Sequence, residues 1–200
     1  MDAKTIQTYD RLSQEYDNET VDFWCNFPQP FLDMFAGYAQ DTILNIGSGP
    51  GRDGVLLHQK GLDVTCLDAS HAMITMCREK GLKAVLGDFN KLPFEDHSFD
   101  GVWAYTALLH IQKSELSQAL KEVRRVLKEN GVFGMGMIEG TTEGYRESSG
   151  MAESRWFSFY TKTEIEDILN KHHFTLLHFE HYKPRSKNYL NFIFRRHAYP

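Results

Sequence analysis

Two rhythms of apolar residues alternate along this chain. The first is a series of short, nearly unbroken apolar runs at 42–46, 62–67, 82–86, 98–103, 132–138, 174–182 and 189–196. Runs of that length, bounded by Gly, Pro, Asn or Asp, predict strands. The second is a spacing of three and four. Leu116, Leu120, Val123 and Leu127 share one face of a helix predicted over 114–130, with Gly131 placed as its C-terminal cap. Thr161-Lys162-Thr163-Glu164 has the capping-box pattern ahead of Ile165, Ile168 and Leu169, which predicts a second helix directly before the strand at 174–182. Ahead of the first strand, residues 2–17 and about 20–40 read as helical. Pro28 and Pro30 must interrupt the second segment, because each removes a backbone donor and disfavours helix in the residue before it.

From residue 41 onward strand and helix alternate, which implies an α/β fold: a doubly wound parallel sheet covered on both faces, preceded by a helical lid. The short connection at 183–188 makes the last two strands an antiparallel hairpin at one edge. A chain of 200 residues, 42% hydrophobic and 24% charged, can bury one sizeable core. A single domain over 1–200 is therefore expected, with 1–40 as the lid and 41–200 as the core.

Charge and cysteine content exclude several classes. The formal net charge is −5 and the basic residues are scattered apart from Arg124-Arg125 and Arg195-Arg196. That argues against nucleic acid as a partner, which would need a basic stripe to meet phosphates. Cys25, Cys66 and Cys77 are too few and too irregular for a disulfide framework or a zinc knuckle and read as reduced structural thiols. His172, His173, His178 and His181 form no metal constellation, so no metal is expected. The N-terminus lacks an apolar targeting region and no run approaches the roughly 18 residues of a membrane span, so a cytoplasmic protein is expected.

The candidate chemistry begins where the first strand stops, at Gly47-Ser48-Gly49-Pro50-Gly51. Without a Cβ these glycines can take positive φ and let another molecule lie against the main chain, while the amides opening the next helix point into the same gap. A nucleotide-type cofactor site is one reading; an ordinary Gly-rich loop is the other. Asp68, ending the second strand, stands at the offset of about 20 residues where an acid meets the ribose hydroxyls of a cofactor. A dinucleotide site would put its third small residue at 52. Here Arg52 would crowd the helix-to-strand contact, which weakens an NAD or FAD reading.

Two further segments complete a set: Gly87-Asp88-Phe89 running on to Leu92-Pro93-Phe94, and Ser98-Phe99-Asp100-Gly101-Val102-Trp103. Together with the Gly turn and Asp68 they resemble the class I S-adenosylmethionine-dependent methyltransferases, and most closely the small type 11-like members. The resemblance covers residues 40–180 and implies a Rossmann-like sheet of about seven strands, with S-adenosylmethionine as cofactor. It implies that Gly47, Ser48, Gly49 and Gly51 pack against the amino-acid portion and ribose, and that Asp68 accepts from the ribose hydroxyls. Ala69 and Met73 would flank the adenine, Asp88 would accept its exocyclic amine, and the Phe89 backbone would contact a ring nitrogen. Ala104 and Tyr105 would come near the methionine end. Asn45 is a departure, since many members carry an acid there and an amide lacks the charge that favours a cationic ligand.

For the methyl acceptor, three segments border the strand ends. Tyr9 and Tyr16 are seven apart, hence on one helical face; the resemblance implies a Tyr that closes over the cofactor, and the other reading is that the pair packs the lid onto the sheet. His110 titrates near neutrality and is a candidate general base, or a structural hydrogen-bonded histidine. The polar, Gly-rich stretch 139–147 running on to the aromatic 155–160 reads as a lid or acceptor loop, with Glu139, Arg155, Trp156 and Tyr160 as the residues that meet the acceptor, or as a surface loop anchored by its aromatics. The expected function is methyl transfer to a small-molecule acceptor with release of S-adenosylhomocysteine. The alternatives are modification of a tRNA base, a non-catalytic S-adenosylmethionine-binding or partner-activating protein, and, more distantly, a nucleotide-dependent oxidoreductase.

Overall fold

In the computed structural model, which describes residues 2–21, 29–148, 151–184 and 186–197, the run at 42–46 lies inside the sheet. This strand, β1 (Thr42–Ile46), is parallel to its neighbours β2 (Asp63–Asp68) and β4 (Phe99–Tyr105). Beyond them lie β3 (Lys83–Leu86) and β5 (Leu127–Ile138), again in parallel. β9 (Tyr189–Arg196) runs antiparallel to β5, and β8 (Phe174–Tyr182) antiparallel to β9 at the edge. The order β3-β2-β1-β4-β5-β9-β8 is the expected doubly wound sheet with its edge hairpin. It reverses between β1 and β4, and ligands of open α/β sheets bind outside the carboxyl ends of the strands at such a switch.

Apolar helix faces cover the sheet on both sides. α6 (Lys113–Val126) and α7 (Lys162–Lys171) bury Leu116, Leu120, Val123, Ile165 and Leu169 against Leu44, Ile46, Phe133 and Phe192. On the opposite face α3 (Gln29–Tyr38), α4 (Arg52–Gln59) and α5 (His71–Glu79) bring Phe31, Phe35, Leu57 and Cys77 against Ile43, Trp103 and Tyr105. A strand covered on both faces has no reason to alternate, which is why β1 reads as continuous apolar sequence. Asn45 is the exception, fully buried among its neighbours.

β5 does alternate, in a different sense. Gly134 and Gly136 are interleaved with Phe133, Met135 and Met137, and the glycines leave room for large rings. A Cβ on Gly134 would lie 2.6 Å from Phe35 and Trp103, and one on Gly136 2.7 Å from Tyr105. Trp103 and Tyr105 stack with centroids 5.6 Å apart, and α3 seats Phe35 4.8 Å from Trp103.

The predicted elements needed three corrections. The helix predicted over 114–130 ends at Val126, because Leu127 turns to an extended conformation (φ −69°, ψ 138°) and opens β5 opposite Phe99. Leu127 is buried from a strand as well as it would be from a helix, so its spacing could not separate the two. Gly131 is no cap: Asn130 takes the positive φ of 61°, while Gly131 is demanded by close backbone, its would-be Cβ 2.9 Å from the Lys128 carbonyl. The helical segment at 2–17 breaks at Leu12 into α1 (Ala3–Arg11) and α2 (Ser13–Glu19). Pro30 sits in the first turn of α3, where a missing N–H costs nothing; Cys25 and Pro28 lie outside the described residues.

The third correction concerns the stretch after β5. Instead of a loop it forms an antiparallel pair, β6 (Glu143–Ser148) and β7 (Met151–Ser158). Along β7 Met151, Arg155 and Phe157 are buried on one side, with Ser158 buried at the strand's end, and an arginine at an inward position hides that period of two. The capping box at the start of α7 is present as predicted, with Glu164 N–H donating to Thr161 Oγ1 at 3.2 Å and Thr161 N–H to Glu164 Oε2 at 2.7 Å. Among the described residues no helix is long and apolar enough to cross a membrane, and no group of three His, Cys, Asp or Glu is placed to hold a metal ion.

Gly134→Ala should overpack the Phe35–Trp103 contact and lower unfolding free energy by about 1–3 kcal/mol in a urea titration. An unchanged midpoint would mean that the aromatic layer yields without cost.

Candidate active site

At the end of β1 the chain turns through Gly47 (φ 60°), Gly49 (φ 53°) and Gly51 (φ 85°) before α4 begins. Side-chain-bearing residues pay for that region of φ, glycine does not. The three glycines face different surroundings. A Cβ on Gly47 would lie 2.4 Å from Ala107 Cβ, and one on Gly51 2.9 Å from Leu82. On Gly49 it would meet nothing nearer than Tyr16 Cε1 at 4.0 Å. Gly49 therefore presents bare backbone to open space beneath α2, the cradle a ligand needs.

Arg52 does not press on the strand, contrary to the sequence expectation. Its guanidinium turns outward to pair with Asp17 at 2.6 Å and to donate to Thr20 Oγ1 at 3.1 Å, tying α2 to the turn. The close helix-to-strand contact falls to Gly54, whose would-be Cβ lies 2.8 Å from Cys66 Sγ.

A narrow cleft opens over this turn. Gly47, Ser48, Gly49, Asp68, Met73, Phe89 and Tyr105 line it, as do Tyr9, Tyr16 and His110. Asp68 accepts from Gly49 N–H and Ser70 N–H, each at 2.9 Å, and a carboxylate has about four lone-pair sites, so acceptor capacity is left for a diol. Burial raises its pKa against the pull of those amides. Among the other sequence candidates, Gly51 points into the packing with Leu82 and Cys77, and Ala104 is wholly buried in the core. Ala69 follows Asp68 half-buried, and Asp88 accepts from Asn90 N–H at 2.9 Å.

A second, larger cleft adjoins the first. Tyr9, Tyr16, Thr106 and His110 line both, so these four side chains form the partition between them. Leu109, Ile138, Met151, Phe157 and Tyr189 give the second cleft apolar walls, with Arg155 deep inside and Lys187 at the rim. Of the residues assigned to the acceptor from sequence, Tyr16 and Arg155 are here. Trp156 does not line it; its carbonyl meets His110 Nδ1. Glu139 is exposed and accepts from Asn188 Nδ2 at 2.9 Å, while Tyr160 is buried in the core under the Lys113 ammonium; neither lines this cleft.

Four groups at the partition are joined in one chain of hydrogen bonds. Arg155 donates to Tyr9 Oη, Tyr9 Oη lies 2.9 Å from His110 Nε2, and His110 Nδ1 lies 2.7 Å from the Trp156 carbonyl. A carbonyl can only accept, so Nδ1 carries the proton. In the neutral ring Nε2 then accepts, and Tyr9 donates to it. Burial first, and the Arg155 charge second, push the His110 pKa down to about 3. His110 is thus a neutral acceptor whose lone pair is already engaged. Burial likewise raises the Tyr9 pKa, against the nearby Arg155 cation.

The lid helices are strapped down over both clefts. Asp10 of α1 accepts from Ser70 Oγ at 2.6 Å and Ala72 N–H at 3.1 Å at the start of α5. On the other side, Trp156 N–H of β7 donates to Thr5 Oγ1 at 2.9 Å, and Arg11 pairs with Glu153. Tyr9 and Tyr16 meet edge to face at 5.2 Å beneath these straps.

Three contributors were missed in the sequence. Asp53 is an acid in the first turn of a helix, a common place for one that carries no signal of its own. Lys187 fell in a turn between strands. Thr106 has a positive φ of 55° that its type gives no reason to expect, since a β-branched residue there is strained.

Residues 44–135 match a family model described as a methyltransferase domain. A protein of Staphylococcus carnosus (strain TM300), described as an uncharacterized methyltransferase, is 31% identical over 179 residues, 84% of this chain and 86% of its own. The demethylmenaquinone methyltransferase of Thermotoga maritima is 28% identical over 169 residues, 80% of this chain and 70% of that protein. Among solved structures, Burkholderia thailandensis 1,6-didemethyltoxoflavin-N1-methyltransferase with bound 1,6-didemethyltoxoflavin and S-adenosylhomocysteine superimposes with a TM-score of 0.76. It shares 19% identity and the match covers 99% of this chain and 92% of that one, a likeness of fold.

The depressed His110 pKa has a consequence for stability. The folded state binds its proton only near pH 3, whereas an unfolded histidine binds one below about 6.5, so the stability present above 6.5 is lost as pH falls toward 3. In His110→Asn the slope of unfolding free energy between roughly pH 4 and 6 should be shallower by about 1.4 kcal/mol per unit. Asp53 also titrates in this range but is common to both proteins and cancels in the difference. Parallel slopes would show that His110 is protonated in the folded protein.

Proposed function

The chain belongs to the class I S-adenosylmethionine-dependent methyltransferases, and from that premise we propose that it methylates a small-molecule acceptor with an apolar, ring-like body and an anionic substituent, releasing S-adenosylhomocysteine. The observation that carries this reading is the junction of the two clefts at Tyr9, Tyr16, Thr106 and His110. One cleft holds the bare glycine backbone and Asp68; the other has aromatic walls and a buried cation.

When bound, the cofactor supplies a methyl group already activated on a sulfonium. Gly47, Ser48, Gly49 and Gly51 shape the turn for its amino-acid portion and ribose. Asp68 uses its spare lone pairs for the ribose hydroxyls, Ala69 and Met73 flank the adenine, and Asp88 with the Phe89 backbone meets its polar edge. Ala104 and Tyr105 end β4 near the methionine portion. Alignment of two reacting atoms can lower a barrier by roughly 7–11 kcal/mol, and that is the task of the partition.

Tyr9 and His110 act here as a neutral, water-excluding wall that fixes the acceptor's approach. With its lone pair engaged and its pKa depressed to about 3, His110 is poorly suited to remove a proton. An acceptor that arrives with its nucleophilic atom unprotonated needs no such base. Arg155, ringed by Tyr9 at 5.0 Å and Phe157 at 5.3 Å, offers a cation in a dry pocket, where a carboxylate or phosphate group is held strongly. Tyr16 packs against the acceptor's body. Glu139, Trp156 and Tyr160 support the walls from outside.

Release of S-adenosylhomocysteine measured over a panel of ring-bearing acids, their neutral esters and bulk tRNA tests the reading. Turnover is expected on acids and absent on tRNA. Arg155→Gln should lower kcat/KM for the acid about tenfold or more, the worth of a hydrogen bond to a charged group, and change the ester about threefold or less. Turnover on tRNA alone, or equal losses on acid and ester, would overturn it.

A further inference from the structure

One carboxylate in the cofactor cleft has no role in the assignments above. Asp53, the second residue of α4, is 5% exposed and lines the cleft beside Gly49 and Asp68. Its Oδ2 accepts from Trp103 Nε1 at 2.7 Å, but Oδ1 is buried without a hydrogen-bond partner. A buried carboxylate oxygen is rarely left so, because the missing donor costs most of what desolvation took away. Something that donates belongs there.

The cleft's other carboxylate cannot stand in for it as well. Both oxygens of Asp68 already hold backbone N–H groups. Asn45, buried in β1 close to Gly54, is a neutral amide outside the cleft lining, so besides Asp68 the cleft's one carboxylate is Asp53. Backbone amides at the opening of α4 favour the anionic end of an amino-acid group, and a carboxylate in the helix's first turn favours the cationic end.

We propose that Asp53 is the counter-ion for the ammonium group in the amino-acid portion of S-adenosylmethionine. The proposal rests on the assignment of the glycine-turn cleft to the cofactor. It replaces the charge missing at Asn45 with one supplied from the first turn of the following helix.

Geometry is supported by titration behaviour. Burial raises the Asp53 pKa to about 7, opposed by the Trp103 hydrogen bond and the Arg52 charge. A bound ammonium favours the ionised form, so binding below about pH 7 releases a proton and affinity falls as pH falls, by up to about tenfold per unit. The groups facing Asp53 are Arg52 on its own helix, Tyr16 of α2, Tyr105 of β4 and Cys66 of β2. The two tyrosines and the thiol are all shifted upward, so none of them titrates near pH 7.

Calorimetric titration of wild type and Asp53→Asn with S-adenosylmethionine, S-adenosylhomocysteine and 5′-methylthioadenosine, which lacks the amino-acid portion, tests this. Asparagine keeps an acceptor for Trp103, and thermal melts check that the variant is folded. The variant should bind both amino-acid-bearing ligands at least about tenfold more weakly, the size of a lost charged hydrogen bond, and 5′-methylthioadenosine within about twofold of wild type. In wild type alone, affinity for S-adenosylhomocysteine should fall from pH 7.5 to 6 while that for 5′-methylthioadenosine stays level. Equal losses for all three ligands, no loss, or a loss confined to the sulfonium ligand would overturn the proposal while leaving the cofactor assignment intact. Wild-type protein that bound none of the three would overturn both.

Discussion

The hydrogen-bonded chain from Arg155 through Tyr9 and His110 to the Trp156 carbonyl is the constraint on which the site depends. It joins three segments that meet nowhere else in the sequence: the lid helix, the turn after β4 and the hairpin strand β7. Its direction is fixed at both ends, because guanidinium can only donate and a carbonyl can only accept. Burial and the Arg155 charge keep His110 neutral between them, so each link has one orientation. The same chain closes one side of the glycine-turn cleft and one side of the Arg155 cleft, so the wall between the two clefts is also the seam between lid and core.

Charge is sorted along that seam. The glycine-turn cleft contains the carboxylates Asp53 and Asp68, and the second cleft contains Arg155 with Lys187 at its rim, where burial and the Arg155 charge lower the lysine's pKa. Groups of opposite charge type thus face one another across a neutral partition. Each group is held in place by packing that the sheet supplies: Asp53 by Trp103, and Trp103 by the space that Gly134 leaves open.

Much of this was legible in the sequence, for identifiable reasons. Continuous apolar runs reported strands covered on both faces, and the Gly turn with Asp68 after it marked the switch point because both obey backbone constraints. Misreadings arose where a residue's burial had two structural solutions. Leu127 satisfied a helical stripe and a strand start equally well, and Arg155 at an inward position of β7 disguised a strand as a polar loop. Arg52 was read through a spacing rule although a long side chain can turn away, and Gly54 made the contact instead. The second cleft was the least legible. Its walls come from Tyr9, Leu109, Met151 and Tyr189, which are far apart in the chain and become neighbours only through the fold.

The most direct test is where S-adenosylhomocysteine lies in a crystal of the complex. Its ribose should sit at Asp68, its amino-acid portion along Gly47–Gly51, and its sulfur should face the partition of Tyr9, Tyr16, Thr106 and His110. A ligand bound instead among Arg155, Phe157 and Tyr189, or with its sulfur turned away from that partition, would contradict the assignment of the two clefts.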